Sequence, residues 1–266
     1  MYVFGDSYVA QWNDTGPGWA KLLANKLNIE CVNYGVPGSS SEHSMRQFQK
    51  CALNENITDS VVIVLLSAIG RLDFEIQNEH PGTAATWYHT NDQFVDMNDP
   101  NNIWYIENKN YIKWYLRNFN HSGSVLNKEC YIHAINNFAQ FEPSNRVIVL
   151  INGTRPESSM IPMNKAENLL MPDIDINKIS MNEFVDGVTY DSFCKYIKWD
   201  VRMNHMVIQN LNTMADSIYN IINTGDTSHL SYDNFKRGVL KQVTNQQELD
   251  CLISDGLLYP CIIPRL

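Results

Sequence analysis

Six consecutive apolar residues, Val61-Val62-Ile63-Val64-Leu65-Leu66, leave no face of their segment for water. A run this short and this rich in β-branched side chains predicts a strand covered on both sides, the situation of a parallel sheet flanked by helices. The surrounding sequence has the matching rhythm. Tyr2 to Phe4 reads as a first strand, and Trp19, Leu22, Leu23 and Leu27 recur at helical spacing behind the breaker Gly16-Pro17-Gly18, predicting a helix over 19–27. A strand near Glu30 to Tyr34, a helix from about Glu42 to Leu53 capped by Ser41, a helix over Glu129 to Phe141 and a strand over Arg146 to Ile151 continue the alternation. Strands alternating with helices predict parallel strands joined by crossovers, an α/β fold.

Three stretches depart from this rhythm. From about Asp73 to Asn127 the chain is polar and aromatic (Trp87, Tyr88, Trp104, Tyr105, Tyr111, Trp114, Tyr115), which predicts a long insertion with its own short helices. Residues 152–177 read as loop, before a strong helix from about Met206 to Ile222. Beyond Gly225 a helical extension is expected, running to residue 266. The expectation is a single domain over residues 1–266, interrupted by the insertion.

Composition excludes several classes of function. The net charge is −9 and no basic run occurs, whereas a surface that tracks nucleic-acid phosphates needs clustered Lys and Arg. The longest apolar stretch, Val61 to Ala68, is far below the roughly 20 residues of a membrane-spanning helix. Neither a nucleic acid nor a membrane is expected as partner. The opening Met1-Tyr2-Val3-Phe4 runs straight into a turn, with no room for a secretory leader, so a cytoplasmic location is expected. Six scattered cysteines without a C-x-x-C pair predict reduced thiols and no metal site.

The first strand ends in Phe4-Gly5-Asp6-Ser7-Tyr8, which puts a serine at the carboxyl edge of a parallel sheet, where open α/β folds gather their ligands. Asp6 is expected to brace that turn through backbone N–H groups. The second strand ends in Asn33-Tyr34-Gly35-Val36-Pro37-Gly38-Ser39-Ser40, whose Gly35 can approach a ligand closely enough to offer its N–H to an oxyanion. Each block alone is also ordinary turn chemistry; on neighbouring strands they would face one reacting carbonyl. A serine nucleophile needs a base oriented by a carboxylate. His205, five residues after Asp200 and just before a long helix, is the candidate, with Asp200 to hold its tautomer; a helix cap is its other reading. Asp226-Thr227-Ser228-His229 is a rival pair.

The ordered set F-G-D-S-Y, N-Y-G-V-P-G-S-S, a central strand and D-V-R-M-N-H-M before a helix resembles the SGNH (GDSL-like) hydrolase family, in particular its divergent bacteriophage members, over residues 1 to about 70 and about 190 to 222. The resemblance implies a flavodoxin-like three-layer α/β/α sandwich on a parallel five-stranded sheet. It implies Ser7 as nucleophile and first oxyanion donor, Gly35 as second donor, His205 as base and Asp200 as its orienting residue. No cofactor is implied. The family's third donor, an asparagine in a G-x-N-D block, is replaced here by Ile69 in Ser67-Ala68-Ile69-Gly70-Arg71, and Ser67, Arg71 and Asn152 are the residues in position to substitute for it. The expected function is that of a serine esterase acting through an acyl-enzyme, on O-acyl, chiefly acetyl, esters of carbohydrates that the insertion's aromatics would stack against. The alternative is a catalytically impaired glycan-binding or virion structural protein of the same fold. A nucleotide or cofactor binder fits less well, since no phosphate-cradling Gly-rich run precedes a helix. The phage resemblance extends the expected location to the infected host cell or the virion.

Overall fold

The computed structural model describes residues 1–6, 8–10, 18–36, 39–67, 126–153, 164–176, 179, 206, 210–235, 247, 251 and 254, and the backbone of 72–75, 84–87, 121–125, 183–184, 199–201, 208–209, 239–240 and 260–264. Its centre is a sheet of five strands: β1 (Tyr2–Phe4), β2 (Val32–Asn33), β3 (Val61–Leu66), β4 (Arg146–Ile151) and β5 (Leu169–Leu170). All four pairings are parallel and the order is β2-β1-β3-β4-β5. That order, 2-1-3-4-5, is the flavodoxin-like one, with its topological switch point between β1 and β3.

The unbroken apolar run is explained by the pleat. Successive side chains point to opposite faces, so a strand covered on both sides must be apolar at every position. Val61, Ile63 and Leu65, with Val3, Ile148, Leu150 and Leu170, pack under one pair of helices, α1 (Trp19–Leu27) and α4 (Ile208–Thr224). Val62, Val64 and Leu66, with Phe4, Val147, Val149, Ile151 and Leu169, pack under the other pair, α2 (Ser41–Asn54) and α3 (His121–Phe141). The architecture is therefore a three-layer α/β/α sandwich with two cores and one shared sheet. Each fully buried aliphatic side chain contributes roughly 1.5–3 kcal/mol relative to exposure, so a polar residue anywhere in β3 would cost on whichever face it fell.

The helices begin and end where local chemistry dictates. Helix α1 stops at Asn28, which takes the left-handed conformation (φ 54°) that a short polar side chain tolerates. Helix α2 is capped by Ser40, whose hydroxyl accepts the His43 N–H at 3.2 Å, one residue before the expected Ser41. Helix α4 ends at Gly225 (φ 76°), whose N–H returns to the Ile221 carbonyl. An exposed Lys26–Asp216 ion pair at 2.6 Å spans α1 and α4, but such pairs contribute at most about 1 kcal/mol, so apolar contact holds these helices together. On the opposite face Phe4, Phe48 and Phe138 form a chain of edge-on rings at 5.6 and 5.2 Å, with Tyr34 stacked on Phe4 at 5.1 Å.

Three expectations need adjustment. Helix α3 starts at His121, two turns before the expected Glu129, which shortens the insertion; Leu72–Glu75 pairs antiparallel with Ala84–Trp87, and the short helices expected within the insertion fall on residues outside the described ones. The stretch read as loop after Asn152 contains β5, a strand too short to leave a periodic signal. In the extension beyond Gly225, helical residues at 247, 251 and 254 accompany two 3-10 turns and two short strands, Val239–Leu240 and Pro260–Pro264. No helix among the described residues is long and apolar enough to cross a membrane.

Candidate active site

The carboxyl ends of β1, β2, β3 and β4 converge on one edge of the sheet, and the polar residues that follow them form the candidate site. At the end of β1, Gly5 is required by packing: a Cβ there would lie 2.6 Å from Val9 Cγ2 and 3.0 Å from Leu65 Cβ. Asp6, fully buried, braces the turn as expected. Its carbonyl accepts the Val9 and Ala10 N–H groups, and its Oδ1 accepts the Tyr8 N–H at 3.0 Å. The Tyr8 carbonyl in turn accepts from Trp19 Nε1 at 2.7 Å, which ties the turn to α1. Ser7 itself lies outside the described residues, between these two anchored neighbours.

The loop after β2 is stitched onto that turn. The Gly5 carbonyl accepts the Val36 N–H and the Ser39 hydroxyl, at 3.0 and 3.1 Å. Gly35 packs against the residues just past Ser7, where a Cβ would come within 2.7 Å of both Ala10 N and Val9 Cγ2. Its glycine identity thus follows from close approach to backbone. Its N–H, the expected second oxyanion donor, is donated to Asn33 Oδ1 at 2.8 Å, and Asn33 Nδ2 donates to the Val9 carbonyl at 2.6 Å. Asn33 is a clamp that the sequence reading passed over.

Past β3 and β4 the ladder runs on by one rung, the Asn152 N–H donating to the Leu66 carbonyl at 2.8 Å. This sets Ser67 and Asn152 side by side. Ser67 is fully buried; its carbonyl accepts the Ser41 hydroxyl at 3.1 Å, while its own Oγ has no partner. Asn152 is 1% exposed and its Oδ1 likewise has no partner. Buried polar atoms are paired in the great majority of cases, so two such atoms at one sheet edge call for a ligand or a function. The Asn152 carbonyl accepts from Lys128 Nζ at 2.9 Å, and Lys128 and the adjacent Glu129 are both buried on α3, an arrangement the sequence reading missed. The structure thus gathers Gly35, Ser67 and Asn152 at the switch-point edge; Arg71 and the Ile69 position lie outside the described residues.

Of the proposed base and its partner, His205 also lies outside the described residues, and Asp200 is described by its backbone alone, in a strand (Trp199–Val201) paired antiparallel with Pro260–Pro264. The rival pair is described. Asp226 Oδ1 accepts the Ser228 N–H at 2.9 Å and caps a 3-10 turn over Thr227–His229. That hydrogen bond holds the exposed carboxyl below its usual range, with nearby His229 adding a smaller pull. Tyr232, three residues on, reaches the carboxyl edge: its hydroxyl accepts the N–H of Asp175, whose Oδ1 accepts the Gly153 N–H.

No protein-family model matches this chain, and no curated protein is similar enough in sequence to stand as its relative.

Proposed function

We propose that this protein is a serine hydrolase acting on carboxylic esters, with O-acetylated carbohydrate as the preferred substrate class. The observation that carries the reading is the pair of unspent polar atoms, Ser67 Oγ and Asn152 Oδ1, buried at the carboxyl ends of the two central strands beside the turn that bears the serine. In the reaction Ser7 attacks the ester carbonyl while His205, oriented by Asp200, takes its proton. The tetrahedral oxyanion is stabilised by the N–H groups of Ser7 and Gly35. His205 then returns the proton to the departing alcohol, and water, activated by the same histidine, hydrolyses the acyl-enzyme. Asn152 is the favoured third donor in place of the family asparagine, because its side chain is unengaged at the edge where the oxyanion would form; Ser67 supplies a second hydroxyl there, and Arg71 is the remaining substitute. For Gly35 to serve, its N–H must exchange Asn33 Oδ1 for the oxyanion.

A second reading follows from that same bond. A donor already committed to Asn33, with Ile69 where the family carries asparagine, suits a protein that keeps the fold and binds glycan, or serves the virion, without turnover.

The deciding experiment treats the folded protein with a fluorophosphonate probe, locates any adduct by peptide mass, and repeats this with His205→Ala and His229→Ala. An adduct on Ser7 that is lost only with His205→Ala supports the mechanism as written. Loss only with His229→Ala would transfer the base to the Asp226–His229 pair. Absence of any adduct would remove the hydrolase reading and leave the binding protein.

A further inference from the structure

We propose that Lys128 is a positioning residue for this site: by holding the Asn152 carbonyl it presents the Asn152 side-chain amide as the donor that replaces the one missing at Ile69. The proposal rests on the hydrolase reading above.

Lys128 is 2% exposed, and lysine is almost never so deeply buried unless its ammonium is matched. It comes from α3 and donates to the Asn152 carbonyl at 2.9 Å. The Asn152 N–H is held by Leu66 of β3 at 2.8 Å, and the next N–H, that of Gly153, is held by Asp175 at 2.7 Å. Gly153 sits at φ 85°, a conformation glycine adopts without strain. The peptide groups on both sides of Asn152 are thus bonded to β3, to α3 and to the segment that carries Asp175, in a sequence that would otherwise be a free loop start. Only the side-chain amide is left unspent, with its oxygen buried and unpartnered. A polar group fixed through its backbone and unengaged at its tip is preorganised, the condition under which a donor aids an oxyanion most. The amide's oxygen and nitrogen exchange places by a half-turn, so the same anchored residue can offer N–H to a developing negative charge.

The test measures Ser7 phosphonylation by the fluorophosphonate probe and turnover of p-nitrophenyl acetate for the parent protein, Asn152→Ala, Lys128→Met and the double variant, with a thermal melt for each. Asn152→Ala is expected to slow both reactions by about a hundredfold or more, the usual effect of deleting an oxyanion donor. Lys128→Met is expected to slow them about ten- to a hundredfold through misplacement of the amide. The double variant should be no slower than Asn152→Ala alone, since Lys128 acts through Asn152. A merely structural lysine would instead give losses that multiply, and that result overturns the proposal. So do single variants that react as fast as the parent, although in that case the labelled Ser7 leaves the hydrolase reading standing. A parent protein with no adduct sinks the reading and the proposal together. If Lys128→Met has no cooperative melt, the same cycle built with Lys128→Gln, which keeps an uncharged donor on a shorter chain, decides by the same criteria.

Discussion

The Gly35 N–H points at Asn33 Oδ1, 2.8 Å away, and the other end of the same amide donates to the Val9 carbonyl at 2.6 Å. Asn33 therefore sets both the direction of a proposed oxyanion donor and the distance between β2 and the turn that follows β1. Replacing it with alanine removes two partly buried hydrogen bonds, each worth about 1 kcal/mol net. Asn33→Ala should lose about 1–3 kcal/mol in a denaturant titration, and an unchanged midpoint would show that the clamp carries no load.

Close packing makes a sharper prediction at the neighbouring glycine. In Gly35→Ala the new methyl meets Ala10 N at 2.7 Å, a backbone atom that cannot swing aside, whereas Gly18 has nothing within 4 Å of a built Cβ. Gly35→Ala should destabilise by about 1–3 kcal/mol, the range for overpacking, and should abolish any Ser7 labelling. Gly18→Ser, at the N-cap of α1, should stay within a few tenths of a kcal/mol of the parent. Calorimetric melts of the two variants should separate cleanly, and equal midpoints would refute the argument from approach distance.

At the amino-terminal edge Asn168 closes α3. Its Nδ2 lies within hydrogen-bond reach of the carbonyls of Ala139 and Asn145, both at 2.9 Å, and of Glu142 at 3.3 Å. Asn168→Asp would turn a carboxylate oxygen toward three carbonyls, exchanging three hydrogen bonds for repulsion. A loss of about 2–3 kcal/mol is expected from the lost hydrogen bonds and the buried charge, easing toward low pH as the carboxyl is protonated. A variant as stable as the parent at neutral pH would contradict this.

The Asp226 cap predicts an acid-side signature. Its carboxyl is held below the ordinary value of 3.8, chiefly by the Ser228 N–H. A depressed folded-state pKa means stabilisation that is complete above the unfolded value and is lost as pH falls through the folded one. Asp226→Ala should therefore melt below the parent at about pH 6, with the difference shrinking as pH falls below the ordinary carboxylate value of 3.8 and through the depressed one. A difference that persists in strong acid would mean that something other than the charged cap is lost.

Much of the fold was legible because it rests on strong local patterns. The apolar run around Val61–Leu66 predicted its strand to within a residue at each end, over 60–67, and the run at Arg146–Ile151 and the helical spacing of Trp19 to Leu27 predicted their elements at the observed bounds. Leu169–Leu170 escaped because two residues carry no period, and the first turns of α3 escaped because His121-Ser122-Gly123-Ser124 has the composition of a loop. At the site, Gly35, Ser67 and Asn152 could be named because each follows a readable strand. Lys128 could not be named from composition, yet it left a trace: with Glu129 it falls four and three residues before Ile132, on the buried stripe that continues through Ile135 and Ala139, where charge has no place unless something requires it. Asn33 gave no such trace, because an asparagine at a strand end is ordinary until its two hydrogen bonds are seen.

The sheet is longest in the middle and only two residues wide at each margin, β2 and β5. A second chain attempting to pair there would gain a couple of backbone hydrogen bonds, too few to offset the entropy of straightening its own segment. The taper thus acts as a stop on lateral growth. The two six-residue strands, apolar but for Arg146, would as free edges be effective templates for fibril-like stacking; each has a neighbour on either side, so the fold keeps its most apolar strand sequence away from the sheet margins.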